Sequence, residues 1–193
     1  MIYRIFPSKD TFITNYRLNS VPRTGSNFGS SEILHVFKQA GISGSVGSTA
    51  TASLGRILSS FDLGTYAALT ASGEFPSSGV SFFLKMYDAQ HCGELPTSYD
   101  VEVQALSQPW DEGRGHDVDN FSDRGVANWD KAKSNLFWTI PGASGSGAIS
   151  TFHFDDGHEN LDVDVTEIVQ QWLSGTITNN GFLLKISSSQ EGR

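Results

Sequence analysis

Apolar and polar positions alternate or cluster in short runs along most of this chain. Leu161, Val163 and Val165 alternate with Asp162 and Asp164, the period of a half-buried strand. Tyr99 to Leu106 (YDVEVQAL) alternates in the same way, with Val101, Val103 and Ala105 on one face. Leu54 to Leu63 (LGRILSSFDL), Val80 to Tyr87 (VSFFLKMY) and Phe182-Leu183-Leu184 are denser, as expected of strands covered on both faces. Ile2 to Ile5 with Thr11 to Asn15 predict one interrupted opening strand, Pro7 marking an edge or a bulge. Further strands are predicted at Ile33 to Phe37, Leu136-Phe137-Trp138 and Thr151 to Phe154. Only one stretch has helical period: Ile168, Val169, Trp172 and Leu173 form a stripe about two turns long. Asp164 and Glu167 stand as a capping pair before it, and Gly175 sits where a left-handed C-terminal residue belongs. Asn179-Asn180-Gly181 supplies a turn. Trp172 reads as a core plug. About eight or nine strands and one helix predict an all-β sandwich or barrel.

Between these runs lie loops. Val21 to Ser31 carries Pro22, Gly25, Asn27 and Gly29, and Gln39 to Ser53 is nearly all Gly, Ala, Ser and Thr. Arg114 to Ala127 is polar without period, Pro141 to Gly147 is a turn, and Ser187 to Arg193 reads as loop. No repeat of fixed period and no sharp composition boundary divides the 193 residues, so residues 1–193 read as one domain.

Charge narrows the function classes. The net charge is −8, and Lys and Arg do not cluster, which argues against a nucleic-acid partner. No run approaches the ~20 apolar residues of a membrane span. The MIYRIFPSKD opening makes a poor secretion signal. Cys92 is the one cysteine, so no intrachain disulfide forms, and it reads as a small hydrophobe despite His91 beside it.

Taken in order, several landmarks resemble DNRLRE-type jelly-roll modules, allied to certain carbohydrate-binding modules. They are Asp10-Thr11-Phe12, Asn27-Phe28-Gly29, Leu34-His35-Val36, Arg56 with Phe61-Asp62-Leu63, Trp110-Asp111-Glu112, Trp129, Asp164-Val165-Thr166, Trp172, Gly175 and Asn180-Gly181-Phe182. The resemblance spans nearly the whole chain. It implies a jelly-roll β-sandwich with one short α-helix near the C-terminus. It departs in two ways: a further closing strand after the Gly-Phe strand is missing, and there is no signal peptide. The missing strand implies either that the sequence is the front part of a longer product or that a neighbouring chain completes the edge. A cytosolic product built in this way resembles bacteriophage virion components of the neck, tail or fibre. The expected partners are then other virion proteins in a symmetric assembly, as a homo-oligomer, with synthesis in the host cytoplasm. The alternative is a carbohydrate-binding module recognising a polysaccharide.

Candidate chemistry is sparse. Asp111, Asp117, Asp119 and Asp123, with Glu112, His116 and Asn120 among them, are oxygen ligands of a kind that suits Ca²⁺, the one cofactor the sequence suggests. The EF-hand order is lacking, and a solvated acidic loop is the plainer reading. Asp155, Asp156, His158 and Glu159 form a second such cluster, and neither His153 nor His158 has zinc spacing. Trp110, Trp129 and Trp138 are the rings that could stack on a sugar, against a plainer role as core. Arg56, inside a strand, calls for a carboxylate partner. There is no G-x-S-x-G elbow, P-loop or H-E-x-x-H, and no carboxylate pair stands out for glycosidase chemistry, so the reading is non-enzymatic with no catalytic residue.

Overall fold

The computed structural model describes residues 2–19, 21–40, 52–89, 95–118, 123 and 125–192. In chain order the strands are β1 (Pro7–Thr14), β2 (Arg17–Leu18), β3 (Val21–Pro22), β4 (Phe37–Ala40) and β5 (Ala52–Phe61). Helix α1 (Gly64–Ala71) leads to β6 (Phe83–Met86), β7 (Tyr99–Leu106), β8 (Lys131–Lys133), β9 (Leu136–Phe137), β10 (Gly145–Phe154) and β11 (Leu161–Asp164). Helix α2 (Thr166–Leu173), β12 (Phe182–Ile186) and α3 (Ser188–Glu191) close the described chain. The fold is all-β, with antiparallel pairing throughout the described residues and few helices.

The main sheet runs β1-β5-β12-β7-β10, with β4 beside the first half of β5. β12 lies at its centre, paired to β5 and to β7. Its five residues, FLLKI, are all buried, as a run with one polar residue should be when both faces are covered. Directly paired residues share a face. One face therefore carries Phe12, Ile57, Phe182, Leu184, Val101, Val103 and Ala105. It packs against Leu84 of β6, Leu161 and Val163 of β11, and Ile168, Val169 and Trp172 of α2. The opposite face carries Ile13, Leu58, Leu183 and Leu106, under Trp110, Ala127, Trp129, Ala132, Trp138 and Ala143 from the long excursion after β7. The sheet is thus covered on both sides by different segments of the chain.

Several expectations need correction. Ile2 to Ile5 lie outside every sheet, and β1 begins at Pro7, where the pairing shifts register. The strand expected from Ile33 starts only at Phe37. Val80 to Tyr87 shortens to β6, and Phe83 is exposed because β6 has only one covered face. Helix α1 was not expected. Its GTYAALTA sequence has no apolar stripe, and it forms from alanine's propensity with Tyr66 as its buried anchor, edge-on to Phe75 and Phe82. At α2 the Asp164 carboxylate accepts from the Thr166 N–H instead of capping deeper, and Leu173 falls outside the buried stripe. Trp172 is the expected plug, its ring centroid 4.6 Å from that of Phe182. Gly175 has the expected left-handed φ of 74°. The segment expected as terminal loop contains α3, which docks on the sheet.

Candidate functional site

Below the Trp-rich layer, the sheet carries a row of charge. Arg56 on β5 donates Nε to Glu191 Oε1 at 3.0 Å and Nη2 to Oε2 at 2.7 Å. Its Nη1 donates to the carbonyls of Gly142 and Ala143. Lys185 on β12, 7% exposed, lies 3.0 Å from Glu102 Oε2 on β7 and donates to Ser188 Oγ. Burial opposes ionisation of Glu102, but the Ser188 N–H, Lys185 and the Ser188 hydroxyl outweigh it and hold its carboxyl below the usual carboxylate range. Helix α3 is tied down further by Lys38 Nζ on the Gln190 carbonyl and by the Asp100 N–H on Gln190 Oε1. The carboxylate that Arg56 called for is therefore Glu191, brought by a helix hidden in a Ser-rich tail.

Trp129 sits over this row, with the Arg56 guanidinium 4.9 Å from its ring centre. The Trp129 backbone N–H donates to the Thr24 carbonyl, and a β-carbon at Gly142 would lie 2.7 Å from the Trp129 ring, so only glycine fits there. Beside it opens a cavity of about 340 Å³, lined by Asn15, Arg17, Pro22, Thr24, Ala52, Trp129 and Asp130. Asn15 Oδ1 accepts from the Leu54 N–H, which fixes that side chain at the cavity wall. The volume lies at the small end of the range for small-molecule sites, and the lining residues are one aromatic, two small apolar and four polar or charged ones.

The three expected sugar-stacking rings are built into the core. Trp110 is 2% exposed, donates Nε1 to the Asn180 carbonyl and has Lys9 Nζ over its ring at 4.7 Å. Trp138 is 4% exposed and donates Nε1 to the Asn128 carbonyl. Neither offers a free face, which stacking on a sugar requires. Trp129 is 8% exposed and lines the cavity.

Among the described residues, the acids of the expected Ca²⁺ loop form no group of three potential metal ligands. Asp119 lies outside the described residues, as do Cys92 and His91. Asp123 accepts from the Arg114 N–H, and Glu112 accepts from the Asp10 N–H of β1. Asp111 and Asp117 join no group of three potential metal ligands among the described residues. This loop is organised by the buried Asn27. Its Nδ2 donates to the Glu112 and Ala127 carbonyls, and its Oδ1 accepts from the Gly29 and Gly115 N–H groups. In the sequence Asn27 reads as turn chemistry and as part of the Asn27-Phe28-Gly29 landmark, and neither marks it as a buried hub.

The second acidic cluster lies at the Phe154 end of β10. Glu159 accepts from the Asp156, Asp155 and Gly157 N–H groups, which hold its carboxyl down to about 2. His153 Nδ1 meets Asp100 Oδ1 at 2.7 Å, and that contact raises the imidazole above its ordinary value. Asp155 lies on the other ring nitrogen, at 3.5 Å. These carboxylates bind their own turn and the neighbouring strand.

A lone Lys in FLLKI could have signalled the charge row, because a buried ammonium needs an anion beside it. Nothing in the spacing marks Glu191, Asn15 or Asp130, which reach their places from distant segments. No protein-family model, no curated protein and no solved structure matches this chain.

Proposed function

We propose that this chain is a non-enzymatic attachment module, a jelly-roll sandwich that docks by protein–protein contacts within a bacteriophage neck, tail or fibre. The observation that carries the docking part is where the chemistry points. The charged row of the sheet is engaged internally, and the Trp rings serve as core. What the surface presents instead is large apolar side chains: Ile2, Phe6, Tyr87, Phe137, Ile140 and Ile149 are each more than half exposed. Such groups are ordinary when scattered, and they become contact surface when a neighbour covers them. The virion setting comes from the resemblance in the order of landmarks. Sedimentation of the purified chain over rising concentration tests the reading, with reversible self-association expected. A chain that stays monomeric at every soluble concentration overturns it.

A second reading rests on the cavity beside Trp129. Its volume and the polar residues that line it are compatible in size and chemistry with one sugar unit of a polysaccharide. A glycan array probes this, followed by titration of any hit against Asp130→Ala. Binding lost in that variant favours the module as a carbohydrate binder.

A further inference from the structure

Helix α3 has the sequence SSQE, and none of its residues is apolar or buried. So short a segment forms no stable helix by itself. It is held by polar contacts, and these come from four strands on one face of the sheet. At its first residue, the Ser188 N–H donates to Glu102 Oε1 of β7 at 3.0 Å. In its middle, the Gln190 carbonyl accepts from Lys38 Nζ of β4 at 2.6 Å, and Gln190 Oε1 accepts from the Asp100 N–H of β7 at 2.8 Å. At its end, the Glu191 carboxylate takes both Nε and Nη2 of Arg56 on β5, with Lys185 Nζ of β12 4.0 Å away. Lys38, Arg56 and Lys185 thus converge on one short segment, in a chain whose net charge is −8.

The receiving groups are positioned from outside α3. Arg56 Nη1 is anchored on the Gly142 and Ala143 carbonyls, and its guanidinium lies 4.9 Å from the Trp129 ring centre. The edge it turns to Glu191 is therefore aimed by the Trp layer. Lys185 is set by Glu102 at 3.0 Å. A fork fixed in this way suits a carboxylate in two-point contact. The segment that fills it lacks an apolar anchor and belongs to the part of the fold that opens first. We infer that this face is a docking site for an acidic peptide segment of another protein, and that α3 is the strap that fills it until that segment arrives. The inference rests on the attachment reading above and names one contact it uses. The resident strap shows what the occupant carries: a carboxylate for Arg56 and Lys185, carbonyl oxygens for Lys38 and the Asp100 N–H, and a backbone N–H for Glu102. Three cations on this face favour such a segment over a basic or neutral one. Only Ser187 separates α3 from β12, so the opened strap stays beside its own sheet and competes with the incoming segment.

The probe is the peptide Ser-Ser-Ser-Gln-Glu-Gly, acetylated and amidated at its ends. It is titrated into the isotope-labelled chain and followed by NMR at the Asp100 amide. The intact chain is compared with Glu191→Gln, in which the strap loses its carboxylate and the receiving groups stay. The variant should take the peptide at least about tenfold more tightly, because the intact strap competes at high effective concentration. A control peptide with Gln in place of Glu should bind the variant at least about tenfold more weakly. Arg56→Met/Glu191→Gln should not bind, while amide shifts away from α3 show that its sheet is intact. Peptide that binds neither chain, binds both equally, or binds as well with Gln as with Glu overturns the strap. So do Ser188 to Glu191 amides that stay as protected in Glu191→Gln as in the intact chain. In each of these cases self-association on sedimentation leaves attachment standing. A chain that takes no peptide and never associates overturns both.

Discussion

Replacing Arg56 by Met removes the cation that α3 is built around. Glu191, 10% exposed in its side chain, is left with Lys185 4.0 Å away as its nearest counter-charge. Leaving one member of a buried ion pair behind costs about 3–5 kcal/mol if nothing moves. But α3 has only four residues, and it can swing Glu191 into water. Doing so breaks the bonds of Lys38 to Gln190, of Asp100 to Gln190 and of Ser188 to Glu102. At a net value of ~1 kcal/mol for each, that route costs about 3 kcal/mol. The cheaper route sets the result, so Arg56→Met should destabilise by about 3 kcal/mol. In a chain of this length that lowers the thermal midpoint by about 6–12 °C. The double variant Arg56→Met/Glu191→Leu replaces the pair with apolar volume and should return to within about 1 kcal/mol of the original. Urea titration of the four chains in the cycle, with unchanged slope, measures the terms. A single variant that loses less than ~1 kcal/mol, the worth of an exposed pair, would show that the pair is hydrated and the reasoning wrong.

Asn27→Ala should cost about 3 kcal/mol or more, because two carbonyls and two N–H groups lose their partner in a site with no exposure; denaturant titration reads it. Gly181→Ala should cost about 2 kcal/mol or more in the same assay. Its φ is 95°, and a β-carbon there would overlap the Ser59 carbonyl of the neighbouring strand. Acidification should loosen α3 first. The Glu102 carboxyl is held below its unfolded value, so its contribution is present above that value and disappears as pH falls through the lowered one. Asp10, whose carboxyl burial raises, works in the opposite direction. Amide exchange of Ser188 to Glu191 against pH reads the balance. His153 should titrate above an ordinary histidine, and Asp100→Asn should bring it back; proton NMR of the ring follows both.

Much of the body was legible because its signals are local. The alternation of Tyr99 to Leu106 gave β7 to the residue, and Phe182 to Leu184 announced a strand covered on both faces. Gly175 and Gly181, both marked as turn residues in the sequence, are two of the glycines at which the backbone turns left-handed. The sites were less legible. Trp110, Trp129 and Trp138 carry the same side chain whether they face a sugar or a core, and only the layer packed over Leu58 and Leu183 decides which. The acids of the expected Ca²⁺ loop are neighbours in sequence, but Asp123 and Glu112 are drawn off to separate backbone N–H groups.

The sequence by itself determined an all-β body with a Trp-bearing helix, because side-chain period and turn residues act over a few positions. Tertiary structure decided the rest. It set β12 between β5 and β7, gave the sheet two unlike covers, joined Arg56 to Glu191 across 135 residues and left Ile2 to Phe6 without a strand beside it. Those outcomes depend on which distant segments meet, and no local pattern records a meeting.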